Sequence, residues 1–234
     1  MMRGRMLVVL ALSCALSLTV AAAERKSPSQ ISPTDLTAET QKISNNPSRM
    51  DMAWWVPYEF WEAVLTQDPM VPAEQSGLML EVIQPYFVVA VVQADISPFG
   101  AFNFLDESKI RRGMSVEYSD ENGSGKKLEM LESTSNDFEL LLQQIGPVLS
   151  SAMGNLGQNF QFYSYSAVDK KGDRIASPYE KGVLRVLLDA REGEEPSIFE
   201  FEAPLDSLFV PRICPNGKAA HVSWSVCPWG GSKL

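Results

Sequence analysis

Histidine and cysteine are scarce in this sequence, and their scarcity excludes several kinds of catalytic and metal site. The 234 residues include one histidine, His221, and three cysteines, Cys14, Cys214 and Cys227. A Ser–His–Asp triad, a Cys–His pair or a two-histidine metal site would have to use His221. Because His221 alternates with Ser223, we interpret it as a strand residue on a half-exposed face. The sequence also lacks a Gly-rich phosphate loop, so we predict no catalytic residue, no metal and no cofactor.

Basic residues are outnumbered by acidic ones, 20 against 29, and the formal net charge is −9. This balance disfavours a nucleic-acid partner, which would need a basic surface. With 45% hydrophobic and 21% charged residues the chain is not of the disordered class. A chain of this length can bury roughly 70% of its unfolded surface, enough for one substantial core.

The first 23 residues resemble a secretory signal. Arg3 and Arg5 supply a positive start, Met6–Val20 is a largely apolar stretch, and three alanines follow it. The stretch is about 15 residues, short of the ~20 that span a bilayer as a helix. We therefore predict export to the periplasm or the extracellular space, with no stable membrane span after cleavage. Two alternatives stay open: an uncleaved anchor, and a lipoprotein that uses Cys14.

The segment after the signal, residues 24–49, is polar and contains three prolines. It has few large apolar residues, so it is predicted to be a flexible linker. Residues 50–234 are then predicted to form a single domain, with residues 212–231 as a C-terminal sub-structure.

The domain is predicted to be α+β, because strands mostly follow strands instead of alternating with helices. The pattern favours a mainly antiparallel sheet with two or three helices packed on one side. Predicted helices cover residues 56–65, 72–82 and 136–154. Predicted strands cover residues 86–92, 114–118, 126–131, 159–167, 183–188, 198–203 and 220–226.

Two Cys-Pro-x-Gly segments lie near the C-terminus, beginning at Cys214 and Cys227. These roughly 18 residues resemble a short zinc ribbon, whose two Cys-Pro-x-Cys-Gly knuckles supply four thiolates. Each knuckle here lacks its second cysteine, so the resemblance implies a pair of turns without a zinc site. An even cysteine count in an exported chain favours a Cys214–Cys227 disulfide, which would stabilise the fold by about 3 kcal/mol. A metal with a ligand from elsewhere, and free thiols, are the alternatives.

Residues 54–61 include five aromatic residues, and the binding hypothesis is based on them. The predicted helix turns Phe60 and Trp61 toward the core, and it does not place Trp54, Trp55 and Tyr58 on the same face. We therefore predict that some of these three are exposed and bind a protein or carbohydrate partner. The alternative is that the sheet covers the helix on several sides.

Two carboxylates, Glu59 and Glu62, lie three residues apart and therefore share a face of that helix. Paired carboxylates are the minimum for a glycosidase-like hydrolase, but the favoured interpretation of Glu59 and Glu62 is a solvated helix surface. Asp95 follows an apolar strand and is a weaker candidate. The sequence therefore favours an exported, non-catalytic binding or interaction protein. The alternatives are an envelope-assembly or structural protein and a hydrolase that uses paired carboxylates.

Overall fold

The computed structural model describes residues 23–44, 46–152, 157, 159–190 and 195–234, with the backbone alone for residues 147–152. The predicted signal peptide lies outside the described residues except for Ala23. Within the described ranges, none of the helices has the length and apolar content needed to cross a bilayer.

The described chain contains five α-helices and eleven strands. The helices are α1 (Pro33–Thr40), α2 (Tyr58–Gln67), α3 (Ala73–Ile83), α4 (Glu107–Gly113) and α5 (Asn136–Ala152). The first strands are β1 (Gln41–Ile43), β2 (Arg49–Val56), β3 (Tyr86–Ile96), β4 (Phe102–Phe104), β5 (Met114–Asp120) and β6 (Gly125–Leu128). The later strands are β7 (Gln161–Ser166), β8 (Gly182–Leu188), β9 (Ser197–Ala203), β10 (Arg212–Ile213) and β11 (Ala219–Ala220).

These strands form two main sheets, and all of their pairings are antiparallel. In the five-stranded sheet, β2 lies between β1 and β3, while β7 and β4 pair with successive parts of the other edge of β3. The four-stranded sheet has the order β6-β5-β8-β9, and β10 and β11 form a separate pair. The predicted α+β class with mainly antiparallel strands is confirmed. The strands divide into separate sheets, however, where the sequence suggested one.

The five-stranded sheet lies between helices and the four-stranded sheet, so both of its faces are buried. On the helical side, the Trp54 indole N–H donates to Thr40 Oγ1 of α1 at 3.2 Å, and the ring meets Phe60 of α2 edge-on at 5.2 Å. On the opposite side, Trp55 contacts Phe201 of β9, with ring centroids 6.4 Å apart. Successive strand residues point to opposite faces, which is why adjacent tryptophans serve two different layers.

The outer face of the four-stranded sheet is solvated. In β9, Phe199 and Phe201 are buried while Glu200 and Glu202 are exposed, as their alternation predicts. The predicted β5–β6 hairpin is also confirmed, with Gly123 in its turn at φ 75°.

The prediction of a flexible linker over residues 24–49 is wrong. This segment contains α1 and β1, and Ile31 and Leu36 are fully buried in the main core. The α2 residue Gln67 also holds it in place, since its side-chain amide donates to the Ile31 carbonyl at 2.7 Å. The average composition of the segment is polar, but its apolar residues Ile31 and Leu36 are buried in the core and β1 pairs with β2.

The first residues of the described chain are part of the fold as well. The Val210 N–H donates to the Glu24 carbonyl at 2.8 Å, and the Lys26 N–H donates to the Leu208 carbonyl at 2.9 Å. Arg25 forms an antiparallel bridge with Phe209 between these bonds.

The C-terminal sub-structure is closed by a Cys214–Cys227 disulfide, as predicted, with the two Cα atoms 5.8 Å apart. Its small hydrophobic cluster consists of the two cysteines, Ala220 and the partly buried Leu234, and it is separate from the main core. The predicted strand over residues 220–226 is wrong, because Ala220 alone of these residues belongs to a strand, β11, and Val226 forms an isolated bridge with Lys233.

Replacing both bridged cysteines by serine should loosen this sub-structure without unfolding the rest of the protein. In the chain-entropy model, closing a loop of this size contributes about 3 kcal/mol, which a cluster of so few buried groups cannot replace. We expect amide exchange to quicken over residues 212–234, while β2, β3 and β8 stay protected. Hydrogen exchange read by mass spectrometry measures this, and equal loss of protection in β3 would show that the two clusters are coupled.

Candidate functional site

A pocket of about 260 Å³ lies at one end of the five-stranded sheet. Its aromatic walls come from Trp55, Tyr58, Tyr86 and Phe87, and its polar groups include Arg174. The volume is slightly below the roughly 300–1,000 Å³ typical of ligand pockets. Mostly apolar lining with few polar groups is also the usual composition of such a pocket.

The sheet register explains why these side chains converge. The C-terminal end of β2 pairs with the start of β3, where Val56 lies opposite Val88. The C-terminal end of β7 reaches the same place, where Ser166 lies opposite Tyr86. The chain after β7 then folds back, and the Ile175 N–H donates to the Ala167 carbonyl at 2.9 Å. The returning segment, residues 167–176, forms one wall of the pocket.

Ala176, in that wall, has a strained backbone. Its φ is 52°, and it is the one non-glycine residue with positive φ in the part of the chain that the structure describes. A residue with a Cβ atom rarely adopts this conformation, and such strain is concentrated at ligand-binding and active sites. The Ala176 side chain is buried, so the packing of the returning segment holds the conformation in place.

An ion pair with the buried carboxylate of Glu59 fixes Arg174 at the edge of the pocket. Its guanidinium donates to both carboxylate oxygens of Glu59, at 2.6 Å and 2.9 Å. The Glu59 side chain is 2% exposed and that of Arg174 is 37% exposed. Burial by itself lowers the pKa of Arg174, but the hydrogen bonds and the charge of Glu59 outweigh it and raise that pKa. Arg174 is therefore charged and has one preferred orientation.

The pKa values of three more titratable groups around the Glu59–Arg174 ion pair are raised. Burial, followed by the nearby charge of Glu59, raises the pKa of Glu62. Burial and then the charges of Glu62 and Glu59 raise the pKa of Tyr58, and burial raises the pKa of Tyr179 to about 12. A group of titratable residues with perturbed pKa values beside a pocket is a candidate functional site.

The hydrogen bonds of Glu59 give it the role of positioning Arg174. They argue against acid–base chemistry by Glu59 and Glu62. Both of its oxygens accept hydrogen bonds from Arg174, and its side chain is closed off from solvent. A glycosidase-like pair needs one carboxyl that protonates the substrate and a second that faces it across the cleft. The interpretation of Glu59 as part of a solvated helix surface is also wrong, because the segment around Arg174 covers it.

The structure places the three predicted binding residues differently from the sequence hypothesis. Trp54 and Trp55 are 3% and 1% exposed, so neither is among the exposed aromatic residues that the sequence predicted within this group of three. Both belong to β2, which buries its two faces, and the helix begins after Pro57. Trp55 and the half-buried Tyr58 nevertheless line the pocket. Trp54 lies on the opposite face of the sheet, and ligand binding by any of the three stays a prediction.

Sequence reasoning missed Arg174, Tyr86 and Ala176 as site residues. No local signal connects Arg174 with Glu59, which lies 115 residues earlier in the chain. Asp95, the weaker sequence candidate, lies opposite Asn103 at the far end of β3 and does not line the pocket.

A second buried polar cluster lies between the two main sheets. Asp51 of β2 accepts from Ser197 Oγ of β9 at 2.6 Å and from the Gln93 amide at 3.2 Å, and it lies 3.1 Å from Arg49. Arg49 also donates to Ser197 Oγ at 3.0 Å. The members of the cluster hydrogen-bond one another, so we assign it the structural role of fixing the position of one sheet on the other.

His221 lies outside the pocket, on the C-terminal sub-structure. Its Nδ1 atom is 2.7 Å from the Ser223 hydroxyl, and its Nε2 atom is 3.7 Å from an Asp206 oxygen. Across the described ranges, no group of three or more histidine, cysteine or acidic side chains is arranged to hold a metal ion. The disulfide occupies both sulfur atoms that a zinc ribbon would use.

Comparison with known proteins adds little to this picture. No protein-family model and no curated protein matches the chain. Among solved structures, the chain is similar to the crystal structure of a DUF4426 family protein from Pseudomonas aeruginosa. That match has 10% sequence identity and a TM-score of 0.32, and it covers 70% of this chain and 93% of the other. At this score it supports no conclusion about fold or function.

Proposed function

We propose that this protein is an exported binding protein whose pocket holds a small, mostly apolar and uncharged ligand with one hydrogen-bond acceptor. The observation that carries the proposal is the fixed guanidinium of Arg174 at the edge of an aromatic-lined pocket. An apolar body would pack against Trp55 and Phe87. One oxygen of the ligand would accept a hydrogen bond from Arg174.

The charges around the pocket favour an uncharged ligand. The carboxylate of Glu59 already neutralises Arg174, and two of the five N–H donors of the guanidinium serve that pair. The carboxyl group of Glu62 lies close enough to raise the pKa of Tyr58. A negatively charged ligand would find the charge of Arg174 already offset by Glu59, whereas a ketone or amide oxygen needs a donor alone.

Two features support export. Residues 1–23 have the charge, length and small-residue ending of a secretory signal. The Cys214–Cys227 disulfide is of the kind that persists in oxidising compartments. The proposed location is therefore the periplasm or the extracellular space.

The neutral dye Prodan, a naphthalene with one ketone, tests the proposal. We expect Prodan to bind the protein with a blue shift of its emission, because the pocket is apolar. The Val168→Trp substitution, in the pocket wall, should fill the space and raise the Kd for Prodan at least about tenfold. Fluorescence titration measures both effects.

The matched control is Val226→Trp, which adds the same ring at a valine of similar exposure outside the pocket. This variant should leave the Kd within about twofold of the parent value. Absence of Prodan binding, or equal binding by the Val168→Trp variant, would contradict the proposal. Tighter binding of the anionic dye anilinonaphthalene sulfonate than of Prodan would contradict its claim of an uncharged ligand.

A further inference from the structure

A second cleft, of about 530 Å³, adjoins the pocket. The two cavities meet at the returning segment, because Val168 and Ile175 line both of them. The pocket by itself is slightly smaller than a typical ligand site, whereas the pocket and the second cleft together fall within the usual range of volumes. The second cleft therefore offers adjoining space for a ligand that is too long for the pocket.

We propose that the ligand is an uncharged, single-chain amphiphile whose polar end lies at Arg174 and whose hydrocarbon chain extends across Val168 into the second cleft. Long-chain ketones, esters and amides belong to this chemical class. The inference rests on the proposed function, since the polar end of the ligand occupies the pocket described above.

The junction of the two cavities is an apolar residue that is left partly in water. Val168 is 42% exposed. It forms an antiparallel bridge with Arg174, and its carbonyl accepts from Ser166 Oγ at 2.7 Å. The bridge places the junction next to the residue that would bind the polar end of the ligand. A chain that crosses Val168 would cover it, and little ordering of the wall would be needed, because these bonds already hold it.

The second cleft has an apolar floor. Leu128 and Tyr165 are 6% and 1% exposed and belong to the main core. Leu131 and Ile175 are half-buried and add to the same lining. A methylene chain on this floor would be removed from water together with the leucine and isoleucine side chains beneath it, and burial of apolar surface is favourable.

The charged side chains of the second cleft have both signs. Three exposed lysines and two acidic residues line it, namely Lys126, Lys127, Lys170, Glu129 and Asp169. This mixture has little excess charge to attract a second charged group at the far end of the ligand. Lysine side chains can also lay their methylene stems along an apolar chain while the ammonium groups stay in water. An uncharged tail is therefore the chemistry that suits the second cleft.

A series of methyl ketones from 2-heptanone to 2-tridecanone tests the inference. Displacement of Prodan from the full chain gives the Kd of each ketone. We expect the Kd to fall by up to about fourfold for each added methylene through the whole series, because the added methylenes are buried in the second cleft. A ligand confined to the pocket would stop gaining affinity partway, so a Kd that no longer falls beyond 2-nonanone overturns the inference.

Leu131→Ser locates the chain, since it removes an apolar side chain from the second cleft and none from the pocket. It should raise the Kd for 2-tridecanone about fivefold and leave the Kd for 2-heptanone within about twofold of the parent value. The matched control is Leu142→Ser, which alters another half-buried leucine that lines neither cavity. This control should leave both values within about twofold.

Ser166→Trp gives a second, independent reading, because it fills the second cleft from a residue that does not line the pocket. It should show the same selective loss of 2-tridecanone. Unchanged binding of 2-tridecanone by both variants, or an equal rise in Kd for the two ketones, contradicts the inference about the chain. Failure of 2-heptanone to displace Prodan contradicts the proposed function itself, so the two failures are distinguishable.

Discussion

Trp55→Ala is expected to lower the free energy of unfolding by about 3–5 kcal/mol. The Trp55 ring is 1% exposed and packs against Phe201 between the two main sheets. Its removal leaves a large cavity, which a sheet that is buried on both faces has little freedom to close. For a chain of this size the midpoint of thermal unfolding should fall by about 6–20 °C. Urea unfolding followed by circular dichroism gives the free energy, and calorimetry gives the midpoint.

The matched control is Trp229→Ala, since Trp229 is 49% exposed on the C-terminal sub-structure. This substitution should change the free energy of unfolding by less than about 0.5 kcal/mol. If the two variants lost similar stability, Trp55 would not be the core residue that the structure describes.

Arg174→Met is expected to lower the free energy of unfolding by about 2–4 kcal/mol. It retains most of the side-chain length but leaves the Glu59 carboxylate, 2% exposed, without the guanidinium that accompanies it. Breaking a fully buried pair costs about 3–5 kcal/mol. The loss expected here is smaller because Arg174 itself is partly exposed. Water can therefore reach the Glu59 carboxylate when the guanidinium is gone. Urea unfolding at neutral pH measures the loss.

The double variant Glu59→Gln with Arg174→Met separates the unpaired charge from lost packing. Removing the charge as well should recover at least about half of the stability that Arg174→Met loses, since the cost comes mainly from an uncompensated buried carboxylate. A double variant as unstable as the sum of the two single variants would mean that the two residues act independently.

Much of the secondary structure could be predicted because it follows from local patterns. The apolar stretch of β3 and the Phe–Glu alternation of β9 each predict a strand, and the alternation of β9 also predicts which of its faces is buried. The boundary between β2 and α2 was harder to place. Trp54 and Trp55 are both apolar, and a strand that is buried on both faces shows no alternation in its sequence. The same residues also fit the spacing of the following helix.

The site could not be predicted, because it depends on contacts between distant parts of the chain. Glu59 and Glu62 have the spacing of an exposed helix face, and what buries Glu59 is a segment more than a hundred residues later. Similarly, Ile31 and Leu36 are too few to change the polar composition of residues 24–49, yet they anchor that segment to the core. Average composition describes a whole segment, whereas its packing against the core depends on individual apolar residues.

The bonds from Glu24 and Lys26 to the chain at residues 208–210 determine how far the folded body can move from whatever precedes it. A free coil over residues 24–49 would have a root-mean-square span of about 25–30 Å. With that coil folded, a leader retained before Glu24 would hold the molecule directly against its point of attachment. An affinity tag fused there would likewise need its own spacer to be accessible.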